Sequence, residues 1–146
     1  MRIVNTVEIN ATPAEVFYWL EEPDRAKQWA TSVTRSEFIE KTPNKVGTTF
    51  REYVEEDGRG IEMHGVVTEF ETNRLFAVHL ESELHSADVR FALAEEGTMT
   101  KLTQNVELHF KSVLSDAVCD SIKKTVMAQA QGEFARLKGL CEQDGQ

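Results

Sequence analysis

Residues Thr12–Trp29 read TPAEVFYWLEEPDRAKQW. The segment holds both tryptophans of the chain and two of its three prolines. Thr12 is placed to cap a helix, Pro13 suits the first helical position, and Glu15 completes a box-like start. The spacing predicts a first helix over Pro13–Leu20 with Val16, Phe17 and Leu20 on its apolar face. Glu21-Glu22-Pro23 breaks it, and a second short helix is expected over Asp24–Ala30. Trp19 falls off the Val16/Phe17/Leu20 face, so partial exposure or contact with a neighbouring subunit is expected for it.

The segment lies between one strand-like run and a region of different texture. Before it, Arg2–Asn10 carries Ile3, Val7 and Ile9 on one parity with Asn5 between them, as a strand would. After it, period-two runs alternate with turn signals. They cover Val33–Lys41, Thr48–Glu56, Ile61–Glu71, Leu75–Glu83, Asp88–Ala94 and Thr98–Phe110. The turns between them include Thr42-Pro43-Asn44, Asp57-Gly58, Thr72-Asn73 and Glu95-Glu96-Gly97. The last two runs alternate most cleanly, one face apolar and one polar, as in an antiparallel sheet wet on one side. Connections this short make a meander the simplest topology. Ser115 to about Glu142 reads as one long helix capped by Ser115, with Val118, Ile122, Val126, Ala130, Phe134 and Leu137 in a stripe. Gly132 interrupts that helix, either as a tolerated solvent-facing position or as a bend.

Composition excludes several classes. The 146 residues suit one domain spanning 1–146 with one sizeable core. The formal net charge of −9 disfavours nucleic-acid backbones and anionic lipid surfaces. No apolar run approaches the roughly 20 residues of a membrane span. The N-terminus lacks an apolar secretory core, so a cytoplasmic location is expected. Cys119 and Cys141, placed on one helix, would stand roughly 33 Å apart, beyond disulfide reach. No zinc-type Cys/His spacing occurs, so neither a metal nor another cofactor is expected.

The order of elements is strand, two short helices, about six antiparallel strands and a long amphipathic helix. This is an α+β arrangement in which a curved sheet and a long helix cover each other. One helix cannot seal a twisted sheet of six or seven strands, so a cavity is expected between them, with the Trp-rich segment at one end. The pattern I-x-A-x-P-A-E-V-F-x-x-L-x-x-P-x-x-x-x-x-W, Ile9 to Trp29, resembles the opening signature of the START-like (SRPBCC) superfamily. That superfamily includes birch-pollen-allergen-like and polyketide-cyclase-like proteins. Gly47, Gly97-Thr98 and the closing LKGLCE, Leu137 to Glu142, agree with it. The resemblance implies a helix-grip fold around an internal cavity. It also implies functions ranging over ligand carriers, aromatase/cyclases, ring-hydroxylase subunits and Hsp90-activator-like interaction modules. The Rieske Cys/His spacing of the hydroxylase iron–sulfur domain is missing.

Within that frame the leading expectation is binding of a small hydrophobic or aromatic ligand, such as a lipid, quinone or polyketide-like compound. A cyclase/dehydratase-type enzyme and an Hsp90-activator-like module are the alternatives. A homodimer is left open by the edge strands. The candidate cavity wall comprises Trp29, Phe50, Val54, Phe76, Val78 and Phe91 from the strap and sheet. Ile122, Val126 and Met127 face them from the helix. Trp29 is either a core plug or a cavity wall that stacks on a flat ligand, and the two roles are compatible. Gln104 lies on the inward parity between Leu102 and Val106, where an unpaired polar group costs about 1–3 kcal/mol. Glu52 belongs to an acidic cluster with Glu55, Glu56 and Asp57 that reads as a solvated hairpin tip, yet it also shares the parity of Phe50 and Val54. His64 shares parity with Val66 and Phe70. If Glu52 and His64 faced each other inside, they would form an acid/base pair suited to enolisation or dehydration.

Overall fold

The computed structural model describes residues 1–56 and 59–144. Its elements are β1 (Arg2–Ile9), α1 (Pro13–Glu21), α2 (Pro23–Ala26), β2 (Val33–Glu40), β3 (Thr49–Glu56), β4 (Arg59–Glu71), β5 (Leu75–Glu81), β6 (His85–Glu96), β7 (Met99–Phe110) and α3 (Asp116–Asp144). The Asp57-Gly58 turn and the tip of the acidic cluster lie outside the described residues.

The seven strands form one antiparallel sheet in the order β1-β7-β6-β5-β4-β3-β2. From β2 to β7 the chain is a meander. β1 departs from it by pairing with the last strand, so β1 and β2 are the two edges and the α1–α2 strap must run from one to the other. The strap begins as its sequence dictates. Thr12 Oγ1 accepts from the Glu15 backbone N–H at 3.2 Å and Pro13 opens the helix. The second helix is shorter than its sequence suggests. It ends at Ala26, and Lys27–Trp29 continues as turns. Thr100 Oγ1, fully buried, donates to the Ala11 carbonyl at 2.7 Å and pins the start of the strap to β7.

Trp19 is buried, which corrects its expected exposure. The exposed ring of that helix is Tyr18, which stacks under the Arg25 guanidinium at 3.8 Å. The chain returns over this helix, where the Trp29 indole N–H donates to the Trp19 carbonyl at 2.8 Å.

The pairing of β3, β4 and β5 carries one irregularity of consequence. The β4–β5 register runs Val67↔Val78 and then Glu69↔Ala77, leaving Thr68 as a bulge. Before the bulge Met63, Gly65 and Val67 are buried and His64 is exposed. After it Phe70 turns inward. A strict two-residue alternation puts His64 and Phe70 on one face, and the extra residue separates them.

Gly65 stands opposite Phe50 in the β3–β4 ladder, and the Phe50 ring lies across it. A Cβ at this position collides with that ring. Gly65→Ala is therefore expected to cost about 1–3 kcal/mol, lowering Tm by several degrees. Adding Phe50→Leu to Gly65→Ala should recover part of the loss in a thermal melt. An unchanged Tm in the single variant would contradict the close approach.

The core gathers in three clusters among the described residues. Phe17, Leu20, Trp29, Phe134, Leu137 and their neighbours gather under the strap. Ile3, Ala87, Val106 and Leu108 form a second cluster, and Phe50, Val67 and Val78 a third. The C-terminal half of α3 packs tightly, with Phe134, Leu137 and Cys141 at 3% exposure or less. It is also tied to β1 and its end, by Lys138 Nζ to the Glu8 carbonyl at 2.7 Å and the Asn10 N–H to Glu142 at 2.9 Å. The N-terminal half differs: Ile122, Val126 and Ala130 are only half-buried and Val118 is exposed. Here the helix stands off the sheet. Gly132 is exposed with open space around it, so it is a tolerated solvent-facing position. Among the described residues no helix is long and apolar enough to cross a membrane.

Candidate functional site: a cavity between sheet and helix

The space left between the three clusters is a cavity of about 680 Å³. The strap supplies Trp29 at its wall. β3 contributes Phe50 and Val54, β5 contributes Phe76 and Val78, and β6 contributes Phe91. Gln104 reaches it from β7, while Ile122 and Val126 face it from α3. Trp29 is at once a core residue and part of the cavity wall. It is 6% exposed, meets Phe91 edge-to-face at 6.2 Å and Phe134 at 6.3 Å, and still borders the cavity.

Two candidates lie elsewhere. Met127 is not part of the cavity wall. Like Val126 it packs against the Ile3/Val106/Leu108 cluster, but unlike Val126 it does not border the cavity. His64 is on the outer face of the sheet, its side chain 58% exposed and its Nε2 3.9 Å from Glu62. The Glu52–His64 pair therefore does not form, because the bulge at Thr68 breaks the parity that put His64 inside. His79 and His109 also lie on the outer face, beside Asp88. His79 sits between Asp88 at 2.6 Å and Glu81 at 2.8 Å, and these two carboxylates hold its proton on above the usual imidazole range.

Glu52 faces inward and lines the cavity. Its cross-strand neighbours are Ser36 on β2 and Met63 on β4, neither of which is basic. Its carboxyl is half-buried against cavity space and pushed up to about 7 from 4.5, first by desolvation and second by the negative charge of Glu133. Glu133 lines the same space from α3. Ser32 holds it, donating from Oγ at 3.2 Å and from its backbone N–H at 3.3 Å. The Ser32 carbonyl in turn accepts from the Glu55 N–H of β3 at 3.0 Å. One serine thus links α3 to β3 and brings the second carboxylate to the side of the cavity where Glu52 stands. Burial also raises the Glu133 carboxyl, against the lowering effect of the Ser32 hydrogen bonds and the more distant Arg136.

Sequence reasoning passed over Glu133. The signal was available: Ile122, Val126, Gln129 and Glu133 follow one another at helical spacing, and all four border the cavity. Reading the stripe for apolar residues alone moved attention from Ala130 directly to Phe134. Among the described residues no three His, Cys, Asp or Glu side chains converge in a way that could hold a metal ion.

A curved seven-stranded antiparallel sheet gripping a long C-terminal helix, closed at one end by two short helices, defines the helix-grip class. Solved structures share it. A START superfamily protein from Mycobacterium smegmatis superposes with a TM-score of 0.83 at 17% identity, covering 97% of each chain. The Zhui aromatase/cyclase from Streptomyces sp. R1128 gives 0.83 at 11% identity, with 97% of this chain and 93% of that one covered. A protein from Thermus thermophilus gives 0.84 at 11% identity over 100% of both chains. At such identities the likeness is one of fold. No curated protein sequence matches the chain. The chain belongs to the family described as polyketide cyclase / dehydrase and lipid transport, which it matches over residues 1–142.

Proposed function

We propose that this protein binds a small hydrophobic or aromatic ligand, of lipid, quinone or polyketide-like type, in the cavity between sheet and helix. The observation that carries this is the cavity of about 680 Å³, walled mainly by apolar and aromatic side chains. That volume lies within the range of small-molecule sites, which are largely apolar with a few placed polar groups. Membership of a family described by cyclase, dehydrase and lipid-transport roles supports it. Because the cavity is open rather than collapsed, a ligand role is favoured over an interaction module. Native mass spectrometry of the purified protein, with a thermal-shift panel of lipids, quinones and polycyclic aromatics, tests it. At least one class should raise Tm by several degrees, as mass action requires. No bound species and no shift across the panel would overturn the proposal.

A second role is favoured by Glu52 alone. A carboxyl that titrates near neutrality inside an apolar cavity is suited to general acid/base work in enolisation or dehydration. If it acts so, Glu52→Gln should slow turnover of a linear poly-β-ketone mimic by about 100-fold or more while leaving its binding intact. A variant that turns over at the parent rate would exclude the role.

A further inference from the structure

Most of the cavity wall is apolar, and its polarity is unevenly placed. Glu52 and Glu133 both border it at the end where Ser32 joins α3 to β3, and Ser36 lies beside Glu52. Glu21 and Glu22 of the strap border it as well, with Glu21 3.7 Å from the Arg25 guanidinium.

Lys41, Lys45 and His85 also border the cavity, but away from Glu52. Arg136 acts on Glu133 from an exposed position on the same helix. Lys41 lies over the Phe38 ring at 4.4 Å. Lys41 and Lys45 flank Thr48, at the opposite end of the β3 side of the cavity, and Thr48 to Glu52 is about 13 Å along a strand. His85 is on β6, three strands from β3, or about 14 Å across the sheet. The Glu52 carboxyl has neither a hydrogen bond nor an ion pair with any described residue.

A carboxylate facing an apolar cavity without a counter-charge is costly, and two that repel each other are costlier. Such an arrangement is relieved when the occupant brings the missing positive charge. The aromatic wall at the same site suits the apolar body that would carry it.

We infer that the cavity selects hydrophobic ligands bearing a protonated amine, whose nitrogen is received between Glu52 and Glu133 while the apolar body lies against the aromatic wall. This rests on the ligand-binding role proposed above and specifies its ligand class. The ammonium donates charge-assisted hydrogen bonds to two carboxylates that have no basic residue between them. Binding then favours ionisation of both acids, so affinity for an amine rises with pH across the window in which they titrate, whereas affinity for a neutral ligand does not.

The matched probes are pyrenemethylamine and pyrenemethanol, titrated into the protein by fluorescence anisotropy. The amine is expected to bind about tenfold or more tightly than the alcohol at pH 7.5. Its affinity should rise between about pH 5 and pH 8 while that of the alcohol stays flat. Glu52→Gln combined with Glu133→Gln should bring the amine down to the level of the alcohol without changing the alcohol. Should the double variant fold poorly, Glu52→Gln alone and the pH profile of the parent protein give the same reading. Equal affinities for the two probes would overturn the cationic-ligand inference and leave cavity binding standing. If neither probe binds, the cationic-ligand inference is overturned, and the panel of lipids, quinones and polycyclic aromatics decides cavity binding separately.

Discussion

Trp29→Ala is expected to lower the melting temperature by about 10 °C or more. Large aromatic-to-alanine changes in cores cost about 3–5 kcal/mol, a large part of the 5–15 kcal/mol that holds a typical domain together. Three losses combine here. The ring leaves its contacts with Phe91 and Phe134, the Trp19 carbonyl loses its buried donor, and the strap loses the tie that folds it back on itself. Trp29→Phe separates them. It keeps an aromatic ring in place and removes the indole N–H, so it should cost roughly 1–3 kcal/mol, the penalty for leaving a buried carbonyl unpaired. Thermal melts of both variants measure this directly. A Trp29→Ala protein that melted within about 3 °C of the parent would show that the strap closes the cavity without it.

The second large effect has the opposite sign. Glu52→Gln is expected to stabilise the protein at pH 8 and leave it almost unchanged at pH 4. The folded state holds the Glu52 proton up to about 7, whereas the unfolded chain releases it near 4.5. Between those values the folded form binds more protons, so stability falls as pH rises and levels off once the folded carboxyl has ionised. A shift of that size corresponds to at most about 3 kcal/mol. Water in the cavity solvates the carboxylate in part, so about 2 kcal/mol is the expected gain at pH 8, equivalent to roughly 6 °C in Tm. Glu133 contributes a slope of the same sign, lessened by its Ser32 hydrogen bonds, so a shallower pH dependence should remain in the variant. Melting the two proteins from pH 4 to pH 9 tests it. Parallel curves would mean that Glu52 reaches bulk solvent.

The contrast between these two residues shows what the sequence made legible. The start of the strap was readable because its signals are local: a capping threonine, a proline at the helix start, a second proline to break the helix, and Trp29 to fill the end. The β6 and β7 strands were readable because their alternation is unbroken over a register that pairs Glu96 with Met99 and His85 with Phe110. The cavity followed from geometry, since one helix cannot cover seven twisted strands.

What could not be read depended on single residues in three dimensions. One bulge at Thr68 put His64 outside and Phe70 inside, and nothing in the surrounding sequence marks it. Trp19 is buried off the apolar face of its own helix, under a chain that returns ten residues later, which the pattern of one helix cannot show. Met127 and Val126 are adjacent on α3, and which of them borders the cavity depends on the rotation of a helix that stands off the sheet. Glu133 was missed for a different reason. Charged residues on a long helix are ordinarily solvated, and hydrogen bonds from Ser32 hold this one at the cavity.

Occupation of the cavity is the central claim, and its most direct measurement is NMR of the protein during titration with a neutral polycyclic aromatic. Shifts should concentrate on the Trp29 indole N–H and on the methyl groups of Val54, Val78, Ile122 and Val126, all of which border the cavity. His64 on the outer face should stay still. Shifts centred on the outer face of the sheet, or none at saturating probe, would contradict it.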